Sequence, residues 1–171
     1  MITDLVQIQR LGEKKRKENE AFRKHMKIHD VPERRLRKMA EEIEEQIDCT
    51  VCANCCRVAT AQLLERDVEK LAKYFRISIS QFKAQYTMED PVDDLVLKRD
   101  DQKGCVFLDG NTCTVYEVRP ASCENFPHLV RGQGSIPSRM WQFIDRATYC
   151  PIVYNSLEAF KPALGFRPPT K

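Results

Sequence analysis

Leu5, Ile8, Leu11, Phe22 and Met26 fall near a helical period, which predicts a helix over residues 2–29. Its middle, Glu13 to Glu20, is entirely polar and interrupts the stripe. Asp30-Val31-Pro32-Glu33 ends that helix and opens another, with Asp30 read as the N-cap and Pro32 in the first turn. Leu36, Met39, Ala40, Ile43 and Ile47 then make an i, i+3, i+4 stripe, so the two segments read as a helical hairpin. Glu65 to Phe75 is helical, and Ser78-Ile79-Ser80-Gln81 has the capping-box pattern that opens a short helix to about Gln85. Leu95-Val96-Leu97 reads as a strand bracketed by aspartates, and Cys105–Asp109 with Cys113–Tyr116 flank Gly110-Asn111 as a β-hairpin. Arg119-Pro120 starts a helical turn that carries Cys123 toward Phe126-Pro127. Residues 131–137 read as loop and Met140–Ile144 as a strand; the tail, with Pro162, Pro168 and Pro169, reads as a surface wrap or as partly disordered.

At 171 residues the chain fits one ordinary domain with an appendage. No apolar run approaches the ~20 residues of a membrane-spanning helix, so no membrane is expected. Nor does Met1 to Leu5 open a secretory signal. The expected location is cytoplasmic, where reducing conditions disfavour disulfides. A net charge of +3 is too small to call for nucleic acid. Its distribution is uneven, however: residues 1–38 carry 12 Lys/Arg against 6 Asp/Glu. Such helices usually present a solvated face; RNA or an acidic protein partner is the sharper reading, though no aromatic residues interleave with the charge. His25 and His29 have ligand spacing but lie far from every cysteine in sequence, so they read as a solvent-facing pair.

The candidate chemistry lies in the cysteines. Four of the eight stand together in Cys49-Thr50-Val51-Cys52-Ala53-Asn54-Cys55-Cys56. A packed core has no reason to space thiols this way, whereas a soft metal does, because CxxC lets one short loop supply two thiolates. Cys105, Cys113, Cys123 and Cys150 complete a set that fills two four-coordinate sites, or one cluster with four thiols left over. Ionising all eight would take residues 49–171 from +2 to −6, so cations must accompany them. In extended backbone the vicinal Cys55 and Cys56 diverge, which suits them to two sites better than to one. Register adds a condition. A three-residue turn, Gly110-Asn111-Thr112, puts Cys105 and Cys113 on one face; with a two-residue turn, Cys105 lies outside the ladder. Arg57 and Arg119 are the candidate donors to sulfur or carbonyl groups around the centre. Phe107, Tyr116 and Phe126 read as its apolar wall. His128 follows Cys123 by five residues, but no acidic orienter makes a nucleophilic pair of them. No catalytic residue is identified, and whether the chain is an enzyme stays open.

The run Cys49-x2-Cys52-x2-Cys55-Cys56-Arg57 resembles the CxxCxxCC cysteine-cluster family (YkgJ-type), a zinc- or iron-chelating domain. Gly104-Cys105-Val106-Phe107-Leu108 agrees with it, as do Cys113-x-Val115-Tyr116-x2-Arg119-Pro120-x2-Cys123-x2-Phe126-Pro127 and Cys150-Pro151. The resemblance spans roughly residues 48–152 and uses all eight cysteines in order. The family glycine before the vicinal pair is Asn54 here, which tolerates a left-handed turn. A related branch includes flagellin lysine methylases with an iron–sulfur cluster, although no motif for S-adenosylmethionine is present. The expectation is a mainly α protein with a small β-hairpin (α+β). An N-terminal helical hairpin (1–47) precedes a cysteine-cluster metal-binding domain (48–152) and a tail (153–171). Its leading function is coordination of zinc or iron, or of an iron–sulfur cluster, with the metal needed for the fold. The alternatives are an iron–sulfur redox protein or cluster-dependent enzyme, and an adaptor binding RNA or a protein through its basic helices.

Overall fold

The computed structural model describes residues 1–168. It is mainly α-helical, with three two-stranded antiparallel sheets. Two compact units emerge from the chain's contacts, Met1–Asp48 with Pro127–Lys171, and Cys49–Phe126. The first begins with α1 (Leu5–Lys14), α2 (Arg16–Ile28) and α3 (Glu33–Glu44). The single helix expected over 2–29 is thus two, broken at Lys15 (φ −93°, ψ 3°) inside the polar stretch that interrupts the apolar stripe. Nor is Asp30 the cap of the next helix: Pro32 holds that position. Val31 precedes a proline, which disfavours helical backbone there.

The second unit opens with two short helices, α4 (Cys49–Cys52) and α5 (Asn54–Val58), then α6 (Glu65–Phe75) and α7 (Ile79–Tyr86). Ser78 and Gln81 close the expected capping box on α7. Strands β1 (Thr87–Asp90) and β2 (Asp94–Leu97) pair in register Thr87↔Leu97 to Asp90↔Asp94. Next come β3 (Arg99–Asp100) with β4 (Gly104–Cys105), and β5 (Leu108–Asp109) with β6 (Thr112–Cys113). A 3-10 turn (Tyr116–Val118) leads into α8 (Ala121–Glu124). The unit has its own core. Leu63, Val68, Leu71, Phe82, Leu97, Phe107 and Val115 are buried there, and Phe75 stacks on Tyr86 and Phe107 at 5.1 and 5.5 Å between ring centres, those two rings being tilted to one another at 5.1 Å. Phe107 therefore serves the core two residues beyond Cys105, and its burial fixes where that cysteine's strand runs.

The first unit resumes with α9 (Ile136–Arg146) and α10 (Pro151–Ala163). Met140–Ile144, expected as a strand, lies within α9. Ile136, Met140, Phe143 and Ile144 are its buried residues, at helical spacing, and a short apolar run cannot by itself tell the two periods apart. Ser135, whose side chain accepts from the Ser138 N–H, and Pro137 in the first turn are the start signals that identify it. The expected tail is likewise a helix as far as Ala163, with Pro162 inside its last turn; Pro169 lies outside the described residues. Helix α10 is buried along most of its length, packs on α3, and even buries Lys161 against the carboxylates of Glu18 and Glu158. Helix α2 packs on α9. Among the described residues, no helix is long and apolar enough to cross a membrane.

One titration should register in this unit's stability. Burial first, then the guanidiniums of Arg146 and Arg139, push the His128 pKa from its ordinary 6.5 down to about 4. As pH falls below about 6.5 the unfolded chain takes up a proton that the folded chain refuses until about 4, so stability is full above this window and declines through it. Thermal melts from neutral to mildly acidic pH should show that decline. His128→Asn, whose side chain tolerates the left-handed backbone at φ 70°, should flatten it. An unchanged slope would assign the titration to another group.

Candidate metal centre

Helix α4 ends at Cys52, and the chain reverses through Ala53 in left-handed conformation (φ 44°, ψ 16°) before α5 begins. The reversal falls one residue before Asn54, the position expected to make it. The residue immediately past a helix end is where left-handed backbone is most used, and Asn54 is instead the first residue of α5. Cys55 and Cys56 therefore sit on helical backbone, not on the extended backbone assumed for them. The Cys55 thiol hydrogen-bonds Cys56.

Gly104 lets β4 reach this helix. Its φ is +85°, and a Cβ there would stand 2.7 Å from the Cys56 carbonyl oxygen and 2.8 Å from the Arg57 Cα. Only a residue without a side chain admits that approach, which brings Cys105 beside Cys56. In the β5–β6 hairpin Leu108 pairs with Cys113 and Asp109 with Thr112, so the loop is the two residues Gly110-Asn111. Gly110 at φ 59° occupies the first loop position, where such hairpins favour glycine. The odd-length loop is therefore not formed. Cys105 lies outside that ladder, paired instead with Arg99 in the neighbouring sheet.

Side chains tie these pieces together. The Arg57 guanidinium donates to the carbonyls of Cys52 and Gly110, each at 3.0 Å, and to the Asn111 side-chain oxygen. Asn111 Nδ2 donates in turn to the Val51 carbonyl at 2.8 Å. Helix α8, which carries Cys123, is held to α6 and the segment before it. Buried Asp67 accepts from Ala121 N at 3.2 Å and Leu64 N at 3.0 Å, and Ser122 Oγ donates to the Gln62 carbonyl at 2.7 Å. Lys70 Nζ donates to the Arg119 carbonyl at 2.8 Å.

The result is a group of four thiols. Cys56, Cys105, Cys113 and Cys123 all lie within electrostatic range of one another, pair by pair. Burial pushes Cys105 up to about 11 and Cys123 up to about 12, with neighbouring thiols adding to both. Cys113 is raised for the same reasons. Cys56 moves the other way, down to about 7, through the Cys55 thiol first and then the fields of Arg57 and Arg119. Each sulfur has a polar neighbour. Cys105 and Cys113 accept from the amides of Phe107 and Val115, two residues on in each case, and Cys123 meets the Ser122 hydroxyl. Arg119 also bears on Cys113 while stacking over the Tyr116 ring at 3.9 Å. Tyr116 is half exposed, so Phe107 provides the more complete apolar wall.

This donor set, all sulfur with N–H and guanidinium groups around it, suits a soft or borderline cation and offers nothing to a hard one. Among the described residues no three of His, Cys, Asp and Glu already stand at ligand spacing, so the four thiols would have to draw together on an ion. None of the eight cysteines forms a disulfide. Cys49 and Cys52 occupy α4, with Cys49 exposed. Cys150 belongs to the other unit, where it is the buried N-cap residue of α10. His25 of α2 and His29, the C-cap residue just past it, lie 4.1 Å apart between ring centres, tilted by 40°, with His25 Nε2 3.0 Å from the Leu164 carbonyl oxygen. The sequence reading missed Asp67, Asn111 and the close approach at Gly104. An acidic residue in the first turn of α6 was the one local signal, for Asp67.

Residues 48–151 match the model of the family described as "CxxCxxCC: Putative zinc- or iron-chelating domain". No solved structure matches the chain.

Proposed function

Because the chain belongs to the CxxCxxCC zinc- or iron-chelating family, we propose that it binds its metal through a four-thiolate centre made by Cys56, Cys105, Cys113 and Cys123, and that this ion is part of the fold. The observation that carries the reading is the convergence of these four thiols from four segments, each within electrostatic range of the other three; burial first, and then the neighbouring thiols, keeps Cys105, Cys113 and Cys123 protonated until a cation arrives. Four thiolates around a divalent ion, or around an iron–sulfur core of the same charge, would carry −2. Arg57 and Arg119 supply two positive charges beside them, and so act as the outer partners that hold and tune the centre. Cys49, Cys52 and Cys55, on α4 and α5 beside Cys56, are the remaining candidate ligands within this unit, with the reducing cytosol as its setting.

Bound, the ion supplies a point of convergence for segments far apart in sequence; a structural site of this kind is worth ~10–16 kcal/mol in small domains. The second reading is a redox iron–sulfur protein. It draws on the Phe107 and Val115 amides at sulfur and the two guanidiniums, since such donors set a cluster's potential. Anaerobic purification with elemental analysis separates the two. A colourless protein with stoichiometric zinc supports a structural ion, and a brown one with iron and acid-labile sulfide supports the cluster. A protein recovered with neither metal, and refusing both on reconstitution, would end the reading.

Proton release provides an independent check. Near pH 7 binding must expel the protons of Cys105, Cys113 and Cys123 and about half of that on Cys56, hence about three to four per ion. Affinity should therefore climb as pH rises, by about three decades per unit above the Cys56 pKa. Calorimetry of zinc binding in buffers of different ionisation enthalpy counts these protons. Release of about one or fewer would mean that the four thiols are not the ligands.

A further inference from the structure

Helix α2 ends on two imidazoles that the thiol chemistry does not use. Spacing alone reads His25 and His29 as facing solvent, and His29 is exposed. His25 is half-buried: its Nε2 lies 3.0 Å from the Leu164 carbonyl oxygen, and the Phe166 ring meets it edge-on at 5.4 Å between centres. A carbonyl oxygen can only accept, so Nε2 carries the proton and Nδ1 keeps a lone pair. An N–H given to a backbone carbonyl is the outer partner that metal-ligating histidines commonly have, because it fixes the tautomer and makes the other nitrogen more basic. His29 leaves the helix on extended backbone (φ −116°, ψ 152°) and brings its ring centre to 4.1 Å from that of His25.

That separation selects the ion. A metal about 2.0–2.1 Å from each ligating nitrogen stands about 3 Å from each ring centre. The two ring centres would then be about 4.4 Å apart for a right angle at the metal, and about 5 Å apart for the tetrahedral angle zinc adopts in protein sites. The observed 4.1 Å is nearer the first. Right angles between nitrogen donors belong to the tetragonal sites of nickel(II) and copper(II). Among the described residues no cluster of three His, Cys, Asp or Glu forms around the pair, so a bound ion keeps open positions. It would lie at the C-terminal end of a 13-residue helix, where the last carbonyls favour positive charge. Lys24 and Lys27, exposed on the same helix, oppose it, and Asp30 offsets them in part. We propose that His25 and His29 form a two-imidazole site for a divalent cation of right-angle geometry, nickel(II) or copper(II), made without any cysteine. An ion on Nδ1 would also strengthen the His25 donation to Leu164, the C-cap residue of α10.

The test titrates nickel(II) into the full-length protein as purified, with its own metal retained; copper(II) would also oxidise thiols. The chain has three histidines, so His128 serves as the internal control. Nickel should broaden the ring signals of His25 and His29 first in the proton NMR spectrum and leave those of His128 sharp. In calorimetry, His29→Gln and His25→Gln should each weaken nickel binding about tenfold or more. His29 is exposed and on backbone that any residue adopts, so its variant should fold normally. Nickel affinity within about threefold of the wild type in His29→Gln overturns the inference. So does broadening of His128 as early as the other two, or nickel uptake by the double variant equal to that of the wild type, which would mean an adventitious ion only. Zinc that restores sharp His25 and His29 signals at an equal free concentration overturns the right-angle assignment.

Discussion

Cys123→Ser is expected to lower zinc affinity by more than a hundredfold. Sharing a structural-site binding energy of ~10–16 kcal/mol among four ligands puts one sulfur at roughly 3 kcal/mol or more. Cys123 is the sharpest choice because its thiol is pushed furthest up, to about 12, by burial and by the thiols of Cys105, Cys56 and Cys113. Its thiolate is the one that most needs a cation beside it. The serine hydroxyl keeps the shape and the Asp67 tie at Ala121, so α8 should stay in place while the ligand is lost. Competition titration against a chelator of known affinity reads the loss. Retention of affinity within about threefold would remove Cys123 from the ligand set.

Gly104→Ala should be the more destructive change, although it touches no ligand. The new Cβ would meet backbone atoms of Cys56 and Arg57 at 2.7 and 2.8 Å, and backbone cannot swing aside as a long side chain can. The left-handed φ of +85° adds strain to the clash. A cost of roughly 3 kcal/mol or more follows, paid either in unfolding of residues 49–126 or in withdrawal of Cys105 from Cys56. Gly110→Ala is the matched control. It is also left-handed, at φ +59°, but nothing lies within 4 Å of its added methyl, so it should cost only about 1 kcal/mol. Chemical denaturation of both variants, read with metal content, tests the pair. Equal losses would mean that conformational strain matters at Gly104 and close approach does not.

How much of this was legible in the sequence varied with the range of the interactions involved. The Ser78–Gln81 capping box and the buried stripe of α3 are local, and both were readable. The break at Lys15 was signalled by the polar run from Glu13 to Glu20, yet a period of apolar residues spanning it pointed to one helix. Met140–Ile144 is a short apolar run in which Trp141 is half exposed, and only its Ser135 cap and Pro137 reveal the period. The metal chemistry was legible because thiol spacing is itself local. The grouping of Cys56 with Cys105, Cys113 and Cys123 was not. It depends on Gly104 meeting the backbone of α5 and on Asp67 reaching Ala121, contacts that join residues about fifty positions apart and leave no periodic trace.

The Asp67 tie also sets an order of events during synthesis. Its carboxylate sits in α6, but one of the amides it holds is that of Ala121, which leaves the ribosome 54 residues later. If the proposed four-thiolate site is right, the emerging polypeptide would until then offer Cys56, Cys105 and Cys113 without their fourth companion, an incomplete chelate open to any competing thiophilic ion. On that proposal, arrival of α8 would be the committing step of maturation, and metal supply would matter most in the interval just before it.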